Sequence, residues 1–218
     1  MNKFPLIGYY GYWVILTYLS VLSATIGIYF AFTGNIRHAI ILMMVSGICD
    51  TFDGRIANLK KRDNMQSNFG AQIDAMADLI AFGVLPAVIL YSIGQRYEPY
   101  GGALNVIIPS IYVLAAFIRL AYFTATETEQ KRGTGKRKYF DGLPTTSVAL
   151  LIPVVYSVCN VLRAPVFIVF NVMFIAVAAL FVLNIKIPKP RLRTQIILSF
   201  IGLLILTIMY FIGESMNG

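Results

Sequence analysis

Of the ten acidic residues in this 218-residue chain, four fall within 29 positions: Asp50, Asp53, Asp74 and Asp78. All four sit inside apolar stretches, Asp50 and Asp53 at i and i+3, Asp74 and Asp78 at i and i+4, and helical geometry places each pair on one face. An acidic side chain at the middle of a membrane helix costs roughly 2.5–3.5 kcal/mol even on the lenient insertion scale, so such residues normally face a cavity and serve a function. Four carboxylates gathered in one place repel unless cations join them. Hard divalent ions that prefer oxygen, Mg²⁺ or Mn²⁺, are the natural partners. Two such ions bridged by carboxylates are a recurrent device for phosphoryl transfer, where they neutralise a diphosphate and stabilise the leaving oxygen. Gly54 and Ala57 just beyond Asp53, and Gly70 one turn before Asp74, would leave room for a bulky polar headgroup against the backbone.

The elements that must hold these groups are membrane helices. With 58% of residues apolar and 13% charged, the composition excludes a disordered chain and an ordinary soluble domain, which carries roughly a quarter charged residues. Uninterrupted apolar runs predict spans at 12–33, 37–58, 69–94, 103–126, 144–162, 165–185 and 194–212. The expectation is an all-α integral membrane protein. Residues 1–218 form a single transmembrane domain with six core helices and a seventh at the C-terminal end. The second and third spans are consecutive and so are expected to be antiparallel neighbours, which lets the two acidic faces meet at similar depth.

The basic residues orient the bundle. Lys60, Lys61 and Arg62 follow the second span, Lys131, Arg132, Lys136, Arg137 and Lys138 the fourth, and Lys186, Lys189, Arg191 and Arg193 the sixth. Arg37, Arg96 and Arg163 stand alone in the opposite loops. By the positive-inside rule the N-terminus and the acidic site face the cytoplasm of a multi-pass cell-membrane protein, and the C-terminus faces outward. Topology-setting loops that touch anionic membrane lipids account for most of the formal net charge of +8, and nucleic acid is not an expected partner. Cys49 and Cys159 show no metal-ligand spacing and are read as buried hydrophobes; His38 is read as an interfacial residue. The first apolar run lacks a cleavage pattern and is expected to remain as a span.

The run Asp50-Thr51-Phe52-Asp53-Gly54-Arg55-Ile56-Ala57, followed by Gly70-Ala71-Gln72-Ile73-Asp74-Ala75-Met76-Ala77-Asp78, resembles the signature DxxDGxxAR...GxxxDxxxD of the CDP-alcohol phosphatidyltransferases. The resemblance covers about 37–193, with the signature helices in 37–94, which would make the seventh span an extension. It implies transfer of a phosphatidyl group from a CDP-lipid to an alcohol with release of CMP, a six-helix core and a homodimer. It also implies two divalent ions on Asp50, Asp53, Asp74 and Asp78, a nucleotide held by Asp50, Asp53, Gly54, Ala57, Gly70 and Asp74, and a general-base role for Asp78. Two departures stand out. The family's Arg after the Ala is Asn58 here, with Arg55, Lys60 or Arg62 as candidates to replace its charge. Eleven residues separate Asn58 from Gly70 where the pattern has eight or nine, which reads as an insertion in the cytoplasmic loop.

Three further motifs point to the acceptor. Phe69-Gly70 with Ala77-Asp78-Leu79-Ile80-Ala81-Phe82-Gly83-Val84-Leu85-Pro86-Ala87, then Phe117-Ile118-Arg119-Leu120-Ala121-Tyr122-Phe123, then Tyr139-Phe140-Asp141-Gly142-Leu143-Pro144-Thr145-Thr146 are similar to motifs of the phosphatidylserine synthases of Gram-positive bacteria and archaea. That similarity implies CDP-diacylglycerol and L-serine as substrates. Arg119, Lys138, Tyr139 and Gly142 become candidates for contact with substrate or phosphate. Arg119 is an ionisable residue inside a span, for which a buried anionic partner and snorkelling to the interface are both open. Phe82, Gly83 and Pro86 are expected to shape a helix bend, since Pro within a span frees a backbone carbonyl. Other acceptors, such as glycerol phosphate or inositol phosphate, define an alternative with the same chemistry. A cation or proton transporter is the alternative of another class, opposed by the absence of acidic residues continuing the path outward.

Overall fold

The computed structural model describes residues 7–58, 63–97, 102–132 and 139–188, with 201, 202, 204 and 207. A short turn, Tyr12–Val14, leads into helix α1 (Ile15–Phe32). Then come α2 (Ile36–Asn58), α3 (Asn64–Asp78), a π-helical stretch (Leu79–Val84), α4 (Leu85–Tyr97), α5 (Leu104–Arg132), α6 (Val148–Leu162) and α7 (Val166–Val182). Helix α3, the π stretch and α4 form one rod. Four segments among the described residues are long and apolar enough to cross a membrane: Tyr12–Phe32, Asn64–Tyr97, Leu104–Thr126 and Thr145–Leu162. Helix α2 has 23 residues but carries Arg37, Asp50, Asp53 and Arg55; α7 is apolar and shorter. The expected span at 194–212 lies largely outside the described residues. Ile201, Gly202, Leu204 and Thr207 are helical, and Gly202 is buried against Leu150 of α6.

Two features depart from the expected boundaries, for local reasons. Helix α3 begins at Asn64 rather than near 69, because the Asp63 side chain accepts a hydrogen bond from the Gln66 N–H at 2.6 Å and caps the helix. Six of the eleven residues between Asn58 and Gly70 are therefore helix, not loop. The bundle also contains a strand pair that an all-α reading omits. Strand β1 (Tyr139–Asp141) runs antiparallel to β2 (Lys186–Pro188), with Tyr139 opposite Pro188 and Asp141 opposite Lys186. This ribbon brings the segments after α5 and α7 together, two of the three basic loops assigned to one membrane side. At the opposite end, the Arg96 side chain at the end of α4 donates to the Gly34 carbonyl in the α1–α2 turn.

The apolar core fills the part of the bundle away from the α2–α3 connection, built on Ile40, Met43, Phe82, Leu85, Ile89, Tyr112, Phe170 and Phe174. Helix α1 seats on α2 through small residues. Thr17, Ser20, Ser23, Ala24, Gly27 and Ala31 are buried along one face, and a Cβ on Gly27 would come within 2.9 Å of Leu85. Ser23 donates to the Leu42 carbonyl at 2.8 Å, and Ser46 of α2 donates back to the Ser20 carbonyl at 2.9 Å.

The expected irregularity around Phe82, Gly83 and Pro86 takes the form of the π stretch, which starts directly after Asp78. Pro86 has no N–H to give the Phe82 carbonyl four residues back. The buried Tyr112 hydroxyl of α5 donates to that carbonyl at 2.7 Å instead, while its ring packs on Phe174 and Phe181. A Tyr112→Phe substitution keeps the ring and removes the cross-helix donor to that carbonyl. It is expected to cost about 1–3 kcal/mol, seen as a lower unfolding midpoint of the detergent-solubilised protein.

Candidate active site

The site lies where α2 and α3 approach their connection. Helix α2 packs mainly on α1, α4 and α6, while α3 packs on α1 and α5; the two helices meet at this level through the side chains of Asp50, Asp74 and Asp78. Asp50, Asp74 and Asp78 are half-buried, and one carboxylate oxygen from each lies within 4.8 Å of the others. The carboxyl groups of Asp50 and Asp78 are within hydrogen-bond reach of one another, as are those of Asp53 and Asp74. Asp53 is outside the tight group of three. It is buried on the α1 side, where the Thr17 hydroxyl donates to its Oδ2 at 3.0 Å.

The donor set fits a hard cation. Every group in the cluster is a carboxylate oxygen, the cluster joins two helices, and like charges this close in a half-buried setting repel strongly without a counter-ion. Next to it, no atom of the described residues, its own helix turn apart, lies within 4 Å of where a Cβ on Gly54 would stand. That open space is where the sequence placed a headgroup.

The turn carrying Gly142 sits close by, since the Thr145–Ser147 segment packs on the π stretch that follows Asp78. Gly142 has a φ of +81°, and a Cβ there would meet the Phe181 and Leu183 carbonyls at 3.2 Å. Its N–H donates to the Ile185 carbonyl at 2.7 Å, locking the turn to the end of α7. Buried Arg119 of α5 holds the same turn, its Nε donating to the Leu143 carbonyl at 2.5 Å and its Nη2 to the Gly142 carbonyl at 3.3 Å. Backbone carbonyls thus take part of the guanidinium that the sequence offered to a phosphate or carboxylate. Lys138 and the side chains of Ala57 and Tyr139 lie outside the described residues; Gly70 falls in α3, one turn before Asp74.

Thr17 and Tyr112 are the residues that sequence reasoning missed. Both are hydroxyls inside apolar runs. A hydroxyl stripe on α1 at i, i+3 and i+6 (Thr17, Ser20, Ser23) was the available signal.

The family model described as CDP-alcohol phosphatidyltransferase matches residues 14–215. The chain belongs to this family. The match is wider than the 37–193 that the motifs delimit, so α1 and the segment after α7 fall within it rather than outside. Among curated relatives, the chain is similar to the CDP-diacylglycerol–serine O-phosphatidyltransferase of Saccharomyces cerevisiae, with 31% identity over 79% of this chain and 70% of that protein. It is similar to the archaetidylserine synthase of Methanothermobacter thermautotrophicus, with 30% identity over 65% of this chain and 56% of the relative. It also resembles the CDP-diacylglycerol–serine O-phosphatidyltransferase of Mycobacterium leprae, with 32% identity over 63% of this chain and 43% of the relative. The chain thus spans about half the length of the archaeal and mycobacterial proteins it matches.

If the carboxylate cluster holds the cation, Asp74→Asn weakens Mn²⁺ binding to the purified protein by at least about tenfold, the lower end of what even outer-sphere changes cost. Asp63→Asn, altering only a helix cap, leaves it unchanged. Electron paramagnetic resonance titration of free Mn²⁺ reads both.

Proposed function

We propose that this membrane enzyme transfers the phosphatidyl group of CDP-diacylglycerol to L-serine, releasing CMP and forming phosphatidylserine. The convergence of Asp50, Asp74 and Asp78 beside the open space at Gly54 carries this reading. The serine-specific activity for which the yeast and mycobacterial relatives are named and the three motifs similar to those of serine-using enzymes support the acceptor. The site opens at the end bearing the basic loops, which the charge bias places in the cytoplasm. The protein works as a homodimer with six core spans and a seventh.

Asp50, Asp53, Asp74 and Asp78 hold two divalent ions, Mg²⁺ or Mn²⁺, which when bound neutralise the diphosphate of the CDP-lipid. Asp50, Asp53, Gly54, Ala57, Gly70 and Asp74 form the nucleotide side, glycine letting the headgroup approach the helix backbone. An apolar groove of about 470 Å³ between α3 and α5 gives a lipid tail a place beside the site. Ala75 and Leu79 line it, each one position beyond an aspartate. Asp78 accepts the proton of the serine hydroxyl as that oxygen attacks the phosphorus bearing the lipid. The new P–O bond forms in line with the breaking bond to CMP, which leaves with the electron pair. Arg119 fixes the Gly142–Leu143 turn, and Arg119, Lys138, Tyr139 and Gly142 are the candidates for contact with substrate or phosphate.

Purified protein given CDP-diacylglycerol and a panel of alcohols should release CMP with serine and divalent metal, and Asp78→Asn should lower the rate roughly 10²–10⁴-fold. Serine proving inert while glycerol phosphate or inositol phosphate reacts would overturn the acceptor. Exchange of CMP into CDP-lipid without any acceptor would overturn direct attack. Absence of metal-dependent CMP release with every alcohol would favour a transporter.

A further inference from the structure

Other hydroxyls along the described membrane helices end on backbone carbonyls, whereas that of Thr17 does not. Thr25, Thr51, Ser110 and Thr124 each return the side-chain O–H to the carbonyl four residues back in the same helix, the default for such residues in apolar surroundings. Ser23 crosses from α1 to a backbone carbonyl of α2, which holds the helix pair together. Thr17 crosses the same interface but ends on a side-chain carboxylate, the Asp53 Oδ2. Thr17 is 5% exposed and Asp53 7%, so water competes little with this bond. Asp53 is also the one acidic residue of the four that lies outside the tight cluster, and its carboxyl group faces that of Asp74.

We propose that Thr17 is a positioning residue for the site. Its hydroxyl, donated from α1, fixes one oxygen of Asp53 and keeps that carboxylate turned to Asp74, where it can complete the metal-binding set. The inference rests on the reading of the four aspartates as ligands. It adds α1 to the helices that build the site, through Thr17 alone among the hydroxyls that cross the α1–α2 seam in the described residues. A hydrogen bond to a charged group is worth more than one between neutral groups. Its loss should therefore appear in metal binding before it appears in the fold.

The test uses the full chain, purified in detergent, with free Mn²⁺ followed by electron paramagnetic resonance and unfolding followed thermally. Thr17→Val, which keeps the shape and removes the hydroxyl, should weaken Mn²⁺ binding about tenfold. Thr17→Ser, which keeps the hydroxyl, should stay within about twofold of the wild type. Ser23→Ala removes a comparable hydroxyl from the same interface; it should lower the unfolding midpoint and leave Mn²⁺ binding unchanged. In an Asp53→Asn background, Thr17→Val should add nothing further to the loss. Thr17→Ala gives the same reading if the valine variant does not fold. Unchanged binding in the Thr17 variants, or an equal loss in Ser23→Ala, overturns the proposal. The two levels separate through Asp74→Asn. If that variant binds Mn²⁺ as the wild type does, the ligand assignment fails and the role of Thr17 with it. If it loses binding while Thr17→Val does not, only the role of Thr17 fails.

Discussion

Mutual repulsion among carboxylates inside an apolar bundle is the constraint around which this molecule is arranged. Side chains of Asp50, Asp74 and Asp78 that converge within 4.8 Å would spring apart on flexible supports, and lipid offers no water to screen them. Their convergence therefore requires two rigid helices fixed at a set separation and depth. The remaining helices supply that fixity. Helix α1 backs α2 through a seam of small residues, α4 and the π stretch set the distance on the other side of α2, and α5 braces the rod from behind.

The same constraint accounts for where polarity is permitted. Away from the site, hydroxyls and the Phe82 carbonyl are paired internally, and part of the Arg119 guanidinium holds the Gly142–Leu143 turn. At the site, carboxylates face one another and open space lies beside Gly54. A bundle that turns most of its hydroxyls onto backbone carbonyls elsewhere and gathers acidic groups at a single level is suited to receive positive charge there. An anionic substrate can then follow it.

Much of this was legible in the sequence because hydropathy and helical periodicity report directly on membrane spans and their faces. The two aspartate pairs, spaced three and four apart in consecutive spans, led to their meeting without any coordinates. The start of α3 was misplaced because Asn64, Gln66, Ser67 and Asn68 are polar and hydropathy sees no span there, although Asp63 with Gln66 three residues on is a capping pattern. The ribbon of β1 and β2 was invisible because three-residue strands, paired across more than 40 positions, leave no periodic trace. Thr17 was missed for a different reason. Threonine is nearly neutral on any hydropathy scale, and only a partner on another helix reveals what its hydroxyl does.

The pairing of Tyr112 with the Phe82 carbonyl bears on how the chain is assembled during synthesis. The rod from α3 to α4 leaves the ribosome before α5, and until α5 has docked it carries a proline-freed carbonyl without that hydroxyl. An unsatisfied backbone group in hydrocarbon costs several kcal/mol. The third span is thus completed only when α5 docks, so the level bearing Asp74 and Asp78 depends on a helix made after it.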